Sequence, residues 1–328
     1  MPMVRTLVNT LALAVAAMAI GVAAGSSGWG WATPEILWKI RVPRVLAGFG
    51  AGAALALAGA LMQLLTRNPL ADPYVLGLSG GASVGALLML WLGTVGGALL
   101  LPEWGVAIGA GAGALAAAAV LFLLSWRLLG RTGLAATQES SVALLLVGVM
   151  IGTACSAFVS MLLVLASEMQ LRGMVFWLLG DLNGATQWGV AWFAWLVALA
   201  LVWPTARQLD WLARGDAWAA TLGVPVVRRR RIALAAAALA TGAAVATAGA
   251  IGFVGLVVPH ALRLIGARPA AILLPASALG GGSFVVLADA VARTVVAPVQ
   301  LPVGVIAAAV GVPSFLFLLL QGGRRRMQ

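Results

Sequence analysis

The sequence predicts an all-α protein that crosses a membrane many times, and three observations predict it. Apolar residues make up 62% of the 328-residue chain and charged residues only 9%, whereas a soluble surface needs about 25% charged residues. The apolar residues fall in long unbroken runs, which suit helices and exclude the short alternating segments of a membrane β-barrel. A span takes roughly 20 residues plus its connection, so the length holds on the order of ten.

The first run, from Leu7 to Ala24, follows Arg5 and is too long for a secretory leader. Further runs cover 43–66, 80–93, 104–126, 141–166, 187–205, 231–251, 253–265, 270–291 and 303–321. Two of them, 80–93 and 253–265, reach only about 20 Å at 1.5 Å per residue, less than the roughly 30 Å hydrocarbon core. They are expected to be half-helices or buried in protein. Nothing in the pattern divides the chain, so residues 1–328 read as one transmembrane domain.

Ten spans bring both termini to the same side. Placing that side in the cytoplasm puts 15 basic residues there: Arg5, Arg67, Arg127, Arg131, Arg207, Arg214, Arg228–Arg231, Arg263, Arg268 and Arg324–Arg326. The opposite side keeps 5: Lys39, Arg41, Arg44, Arg172 and Arg293. The asymmetry follows the preference of cytoplasmic loops for basic residues, which also explains the net charge of +11 without nucleic acid. Trp91, Trp104, Trp126, Trp188 and Trp203 fall at span ends, where an amphipathic ring sits at the headgroups.

Glycine pairs at helix-contact spacing, Gly48/Gly52, Gly109/Gly113 and Gly148/Gly152, predict close helix packing. A run ending Ala58-Gly59-Ala60 recurs as one ending Ala248-Gly249-Ala250, each continuing into an interrupted span. Paired interruptions are the mark of a transporter built from repeats.

The chain offers little reactive chemistry. Its only lysine, Lys39, stands outside any Gly-x-x-x-x-Gly-Lys motif, so it holds no P-loop. Cys155 and His260 lie on different spans without ligand spacing, and no metal site is expected. Met161, Met169, Met174, Tyr74 and His260 are conceivable iron ligands, but methionine at helical spacing is ordinarily packing. Gly77-Leu78-Ser79-Gly80 matches the four-residue motif of rhomboid-type intramembrane proteases with His260 as base, yet Ser79 reads more simply as a helix N-cap. An ion-coupled secondary carrier would bury an acid. The candidate, Asp289, stands four residues before Arg293, where an i, i+4 ion pair is the simpler reading.

One polar loop stands apart. Residues 207–226 read as two short amphipathic helices, broken at Gly215 and stopped at Gly223-Val224-Pro225. Such a pair either rests on lipid or docks a soluble partner.

The loop, with Asp216-Ala217 and Gly223 seven residues on, resembles the coupling segment by which ABC importer permeases seat on their ATPases. Arg41-Val42-Pro43-Arg44, Asn68-Pro69-Leu70-Ala71-Asp72-Pro73, Ile251 to His260, and Leu301-Pro302-Val303-Gly304 are similar to runs of the FecCD family of iron-chelate and cobalamin permeases. The resemblance spans about residues 35–322. It implies the ten-span cobalamin-permease fold and a homodimer in the bacterial inner membrane. Two ATPase subunits that carry ATP and magnesium would sit below, with a periplasmic binding protein above. This chain would bind no cofactor and catalyse nothing.

Site roles follow from the same resemblance. Arg214, Asp216, Trp218, Leu222 and Gly223 would form the ATPase contact. Asn68, Leu70, Ser140 and Ser141 would form the cytoplasmic gate, and Leu171 to Gly184 a short periplasmic helix. Arg41, Arg44 and Arg293 would meet glutamates of the binding protein. Two of those arginines open a helix, where the positive terminus disfavours a cation unless a negative group arrives. An iron chelate, siderophore or haem, is the expected cargo on family frequency, with cobalamin as the alternative.

Overall fold

The computed structural model describes residues 2–25, 28, 30, 33–95, 105–129, 138–185 and 187–324. Arg131, Trp104, Arg325 and Arg326 lie outside them. All regular structure among the described residues is helical: α1 (Pro2–Ala23), α2 (Pro34–Thr66), α3 (Leu78–Val95), α4 (Gly105–Leu129), α5 (Gln138–Leu165), α6 (Glu168–Leu178), α7 (Trp188–Val202), α8 (Ala206–Arg214), α9 (Asp216–Thr221), α10 (Val226–Ala248), α11 (Val254–Leu264), α12 (Ala270–Thr294) and α13 (Val303–Arg324). Among the described residues seven helical stretches are long and apolar enough to cross a membrane, one of them the continuous run Trp188–Arg214 of α7 and α8, and three shorter apolar ones lie in α3, α11 and α13. Each of these apolar stretches overlaps one of the expected runs.

α2 is the axis of the fold. In its apolar window 94% of residues are buried, against 11% for α5, so α2 is ringed by protein and α5 forms an outer face. α2 packs most extensively on α12, then on α10, α7 and α11; α3 and α4 form a second tight pair. The pairs approach where glycine leaves no Cβ in the way. Gly81 and Gly85 of α3 meet Gly113 and Gly109 of α4, backbone to backbone, as expected for helices associating in lipid.

The two short spans differ from each other. α11 has 11 residues, about 16 Å at 1.5 Å per residue, and is a half-helix. α3 has 18, about 27 Å, and nearly crosses. The duplicated Ala-Gly-Ala motif is not structurally duplicated. Gly249 ends α10 with φ +67°, whereas Gly59 lies within α2 against the backbone of Gly255, and α2 continues to Thr66. α3 begins at Leu78, so Ser79 lies inside the first turn and is not its cap.

The polar loop folds as expected. Gly215, at φ +145°, separates α8 from α9, and Gly223, at φ +76°, stops α9 before Pro225. α6 supplies the short helix expected from Leu171 to Gly184, starting slightly earlier; Gln170 Oε1 accepts from the Ser167 N–H at 2.8 Å to close its first turn.

Candidate functional site

At the basic end of the bundle, α8 turns its apolar stripe inward, burying Ala206, Leu209 and Leu212. Asp210 Oδ1 accepts from the Ala270 N–H at 2.8 Å, placing a carboxylate on the N-terminus of α12, where a helix welcomes negative charge. The hydrogen bond ties α8 to α12, and α8 also packs on α2.

α9 begins with Asp216, which is buried. Its carboxylate lies 2.9 Å from Arg67 Nη2 and 3.3 Å from Arg230 Nη2, joining α9 to the end of α2 and the start of α10. Arg230 also donates to the Leu65 carbonyl at 3.1 Å. Trp218 and Leu222 stay about 42% and 45% exposed, and the Arg214 guanidinium lies 5.4 Å from the Trp218 ring centre. Asp216 is thus an internal tether of α9, while Trp218 and Leu222 are exposed.

The link from α2 to α3 follows. Arg67 adopts φ +55° at the end of α2, and Asn68 Oδ1 accepts from the Leu70 N–H at 2.9 Å, holding a tight turn. Leu70 is exposed. Ser140 and Ser141 fall in the first turn of α5, but their side chains lie outside the described residues.

Two contacts at the centre escaped the sequence analysis. The Tyr74 hydroxyl donates to the Ile251 carbonyl at 3.0 Å and accepts from the Ile251 N–H at 2.9 Å. It thereby satisfies backbone groups freed where α10 breaks before α11, a requirement for irregular backbone at membrane depth. Gln63 Nε2 donates to the carbonyls of Gly255 and Leu256 at 3.3 and 3.2 Å. Tyr74 is the chain's only tyrosine, which was the one available signal. His260 packs edge-on to Phe315 and, among the described residues, meets no metal-ligating cluster. Met174 is buried and Met169 exposed, so the methionines do not form a ligand set.

The opposite end holds a buried arginine cluster. Arg41, Arg44 and Arg293 are all buried, at 6%, 7% and 3% exposure. Arg44 donates through Nε and Nη2 to Asp289, at 2.8 Å for the shortest contact, and through Nη1 to Asn183 Oδ1 and Gln300 Oε1. Arg293 Nε lies 3.0 Å from Asp289 Oδ2, the expected i, i+4 pair. Arg293 also donates to the carbonyls of Ala24 and Gly21, while Arg41 Nη1 donates to those of Val22, Ala23 and Gly30. Carbonyls at the end of α1 have no partner within the helix and its terminus is negative, so two guanidiniums complete it. Within this chain the negative group beside Arg44 is Asp289.

An axial helix with 94% of its apolar window buried, a half-helix clamped at its break and a short helical pair at the basic end define a polytopic helical membrane bundle. The first relatives compared are vitamin B12 import system permease proteins BtuC. That of Escherichia coli O17:K52:H18 is 39% identical over 98% of this chain and 96% of its own length, and that of Shigella sonnei matches equally. A solved structure of a metal-chelate type ABC transporter in an inward-facing conformation superposes with a TM-score of 0.82 at 26% identity, covering 97% of this chain and 99% of the other. PsaBC from Streptococcus pneumoniae, at TM-score 0.55 and 16% identity over 87% of this chain and 91% of the other, shares the fold. The chain is thus an ABC importer permease subunit, a multi-pass membrane protein and not an enzyme; ATP hydrolysis falls to a separate subunit. Residues 6–321 match the profile of the FecCD transport family, and the chain belongs to that family.

Proposed function

We propose that this subunit conducts a corrinoid of the cobalamin type from a periplasmic binding protein into the cytoplasm, as half of a homodimer seated on two ATPase subunits. The observation that carries the cargo is the 39% identity to vitamin B12 permeases over nearly the full length of both chains. The iron chelate expected first rested on family frequency alone and gives way to it. It stays as the second reading because the metal-chelate type transporter shares the fold at TM-score 0.82. The membrane is the bacterial inner membrane, with both termini and the α8–α9 pair on the cytoplasmic side, supported by the 15-to-5 division of basic residues.

Trp218 and Leu222 form the surface that meets the ATPase, with Arg214 stacked on Trp218 and Asp216 bracing α9 from behind. Asn68 and Leu70, together with Ser140 and Ser141, act as the cytoplasmic gate. Closure of the ATPases pushes on α9; the Asp216 cluster passes that displacement to α2 and α10, tipping the spans. At the outer end, Arg41, Arg44 and Arg293 shape the platform that the binding protein meets, supporting it from beneath. The test is ATPase stimulation of the assembled complex by its binding protein loaded with cobalamin, a ferric siderophore or haem. Stimulation by cobalamin alone supports the corrinoid; stimulation only by an iron-bearing ligand transfers the assignment to the second reading.

A further inference from the structure

Between α4, α7 and α10 lies a groove of 590 Å³. Its walls are almost wholly apolar, with Ala114 and Ala118 of α4 facing Ala238 and Gly242 of α10, and it exists because these small side chains do not fill the gap. Along α10 it runs from Ala235 to Thr247, about 18 Å at 1.5 Å per residue. That is close to one leaflet, half of the roughly 30 Å hydrocarbon core.

Water gains nothing there, since it needs two or more polar partners. The groove is about 18 Å long, open along one side and lined almost wholly by apolar atoms, which suits a hydrocarbon chain of a neighbouring lipid.

The groove also has a charged foot. Positions 235, 239, 242 and 246 form its stripe on α10, and counting back by four and three places Arg231 and Arg228 on the same face. Both are exposed at the basic end, one and two turns below Ala235. Guanidinium matches phosphate in charge and geometry.

We propose that this groove holds one acyl chain of an anionic phospholipid from the leaflet at the basic end, with its phosphate at Arg228 and Arg231. The groove lies between α4, α7 and α10 and apart from the exposed Trp218 and Leu222, so it does not rest on the cargo assignment; its charged foot adjoins Arg229 and Arg230, which bind α8 and α9. Its chemistry is that of a resident lipid which seals α4 against α10 while the spans move.

The experiment reconstitutes the full chain in liposomes of phosphatidylcholine and phosphatidylglycerol, one or the other bearing a diazirine near the chain end, and maps crosslinked peptides by mass spectrometry. Labelling of α4 and α10 peptides lining the groove is expected to be on the order of thirtyfold stronger for phosphatidylglycerol, the scale of two near-surface arginines on an anionic lipid. Arg228→Gln with Arg231→Gln should erase that preference while leaving groove labelling. Ala119→Trp or Ala235→Trp, set into opposite exposed walls, should each remove groove labelling, whereas Leu320→Trp on exposed α13 should not. Labelling spread evenly over lipid-facing helices, or unchanged by either blocking variant in protein that still elutes as a single species, overturns the site. Equal labelling by both lipids overturns the headgroup assignment.

Discussion

Asp289→Asn removes a charge and almost no volume, so it tests the buried cluster directly. Asp289 is 1% exposed and receives Arg44 and Arg293, themselves 7% and 3% exposed. Asparagine leaves one acceptor oxygen but no counter-charge, so two guanidiniums stay buried against neutral partners only. Removing one member of a buried ion pair costs about 3–5 kcal/mol, and the surviving hydrogen bond puts the expectation near the lower figure. The chain carries its own control: Lys39 and Glu35 pair at 3.1 Å with side chains 75% and 81% exposed, and Glu35→Gln should leave stability unmoved.

Thermal unfolding in detergent, followed by tryptophan fluorescence, should show a clearly lowered midpoint for Asp289→Asn and none for Glu35→Gln. Replacing the whole cluster with Asp289→Leu, Arg44→Met and Arg293→Met should recover much of the loss, because exchanging a buried ionic group for packed apolar residues is often neutral or better. A midpoint for Asp289→Asn indistinguishable from the parent refutes the internal pairing. It would return Arg44 to an acid on the binding protein.

Three further outcomes follow from named contacts. Trp218→Glu should abolish co-purification with the ATPase or uncouple hydrolysis from uptake while the melting midpoint stays, because Trp218 projects outward and supports no core; normal uptake would remove α9 from the contact. Asp216→Asn should leave Arg67 and Arg230 without their shared counter-charge, costing stability and coupling together, and hydrogen exchange across residues 216–223 should rise; unchanged exchange would show that α9 is held otherwise. Tyr74→Phe should strand the N–H and carbonyl of Ile251, a loss on the order of 1–3 kcal/mol, seen as faster exchange at residues 249–253 with no change in ATPase binding.

The spans were legible because the quantity that defines them is local: twenty apolar residues in a row mean a membrane helix whatever they later touch. The break at Gly215 and the stop at Gly223 were legible for the same reason, since a positive φ is demanded within the turn itself. The Asp289–Arg293 pair, four residues apart on one helix, could be read off the sequence; the Arg44–Asp289 pair, separated by 245 positions, could not. A cation at a helix start has no negative neighbour in sequence, whereas in the fold Asp289 of the same chain faces Arg44. Burying an unpaired charge in a membrane protein is costly, so sequence tells that Arg44 must be compensated, and only the packing of α2 on α12 tells by what. The same holds for the repeated Ala-Gly-Ala. Both Gly59 and Gly249 are kept small by the backbone of another helix, Gly255 and Trp177 respectively, but only Gly249 also takes a positive φ, so identical letters conceal partly different reasons for lacking a side chain.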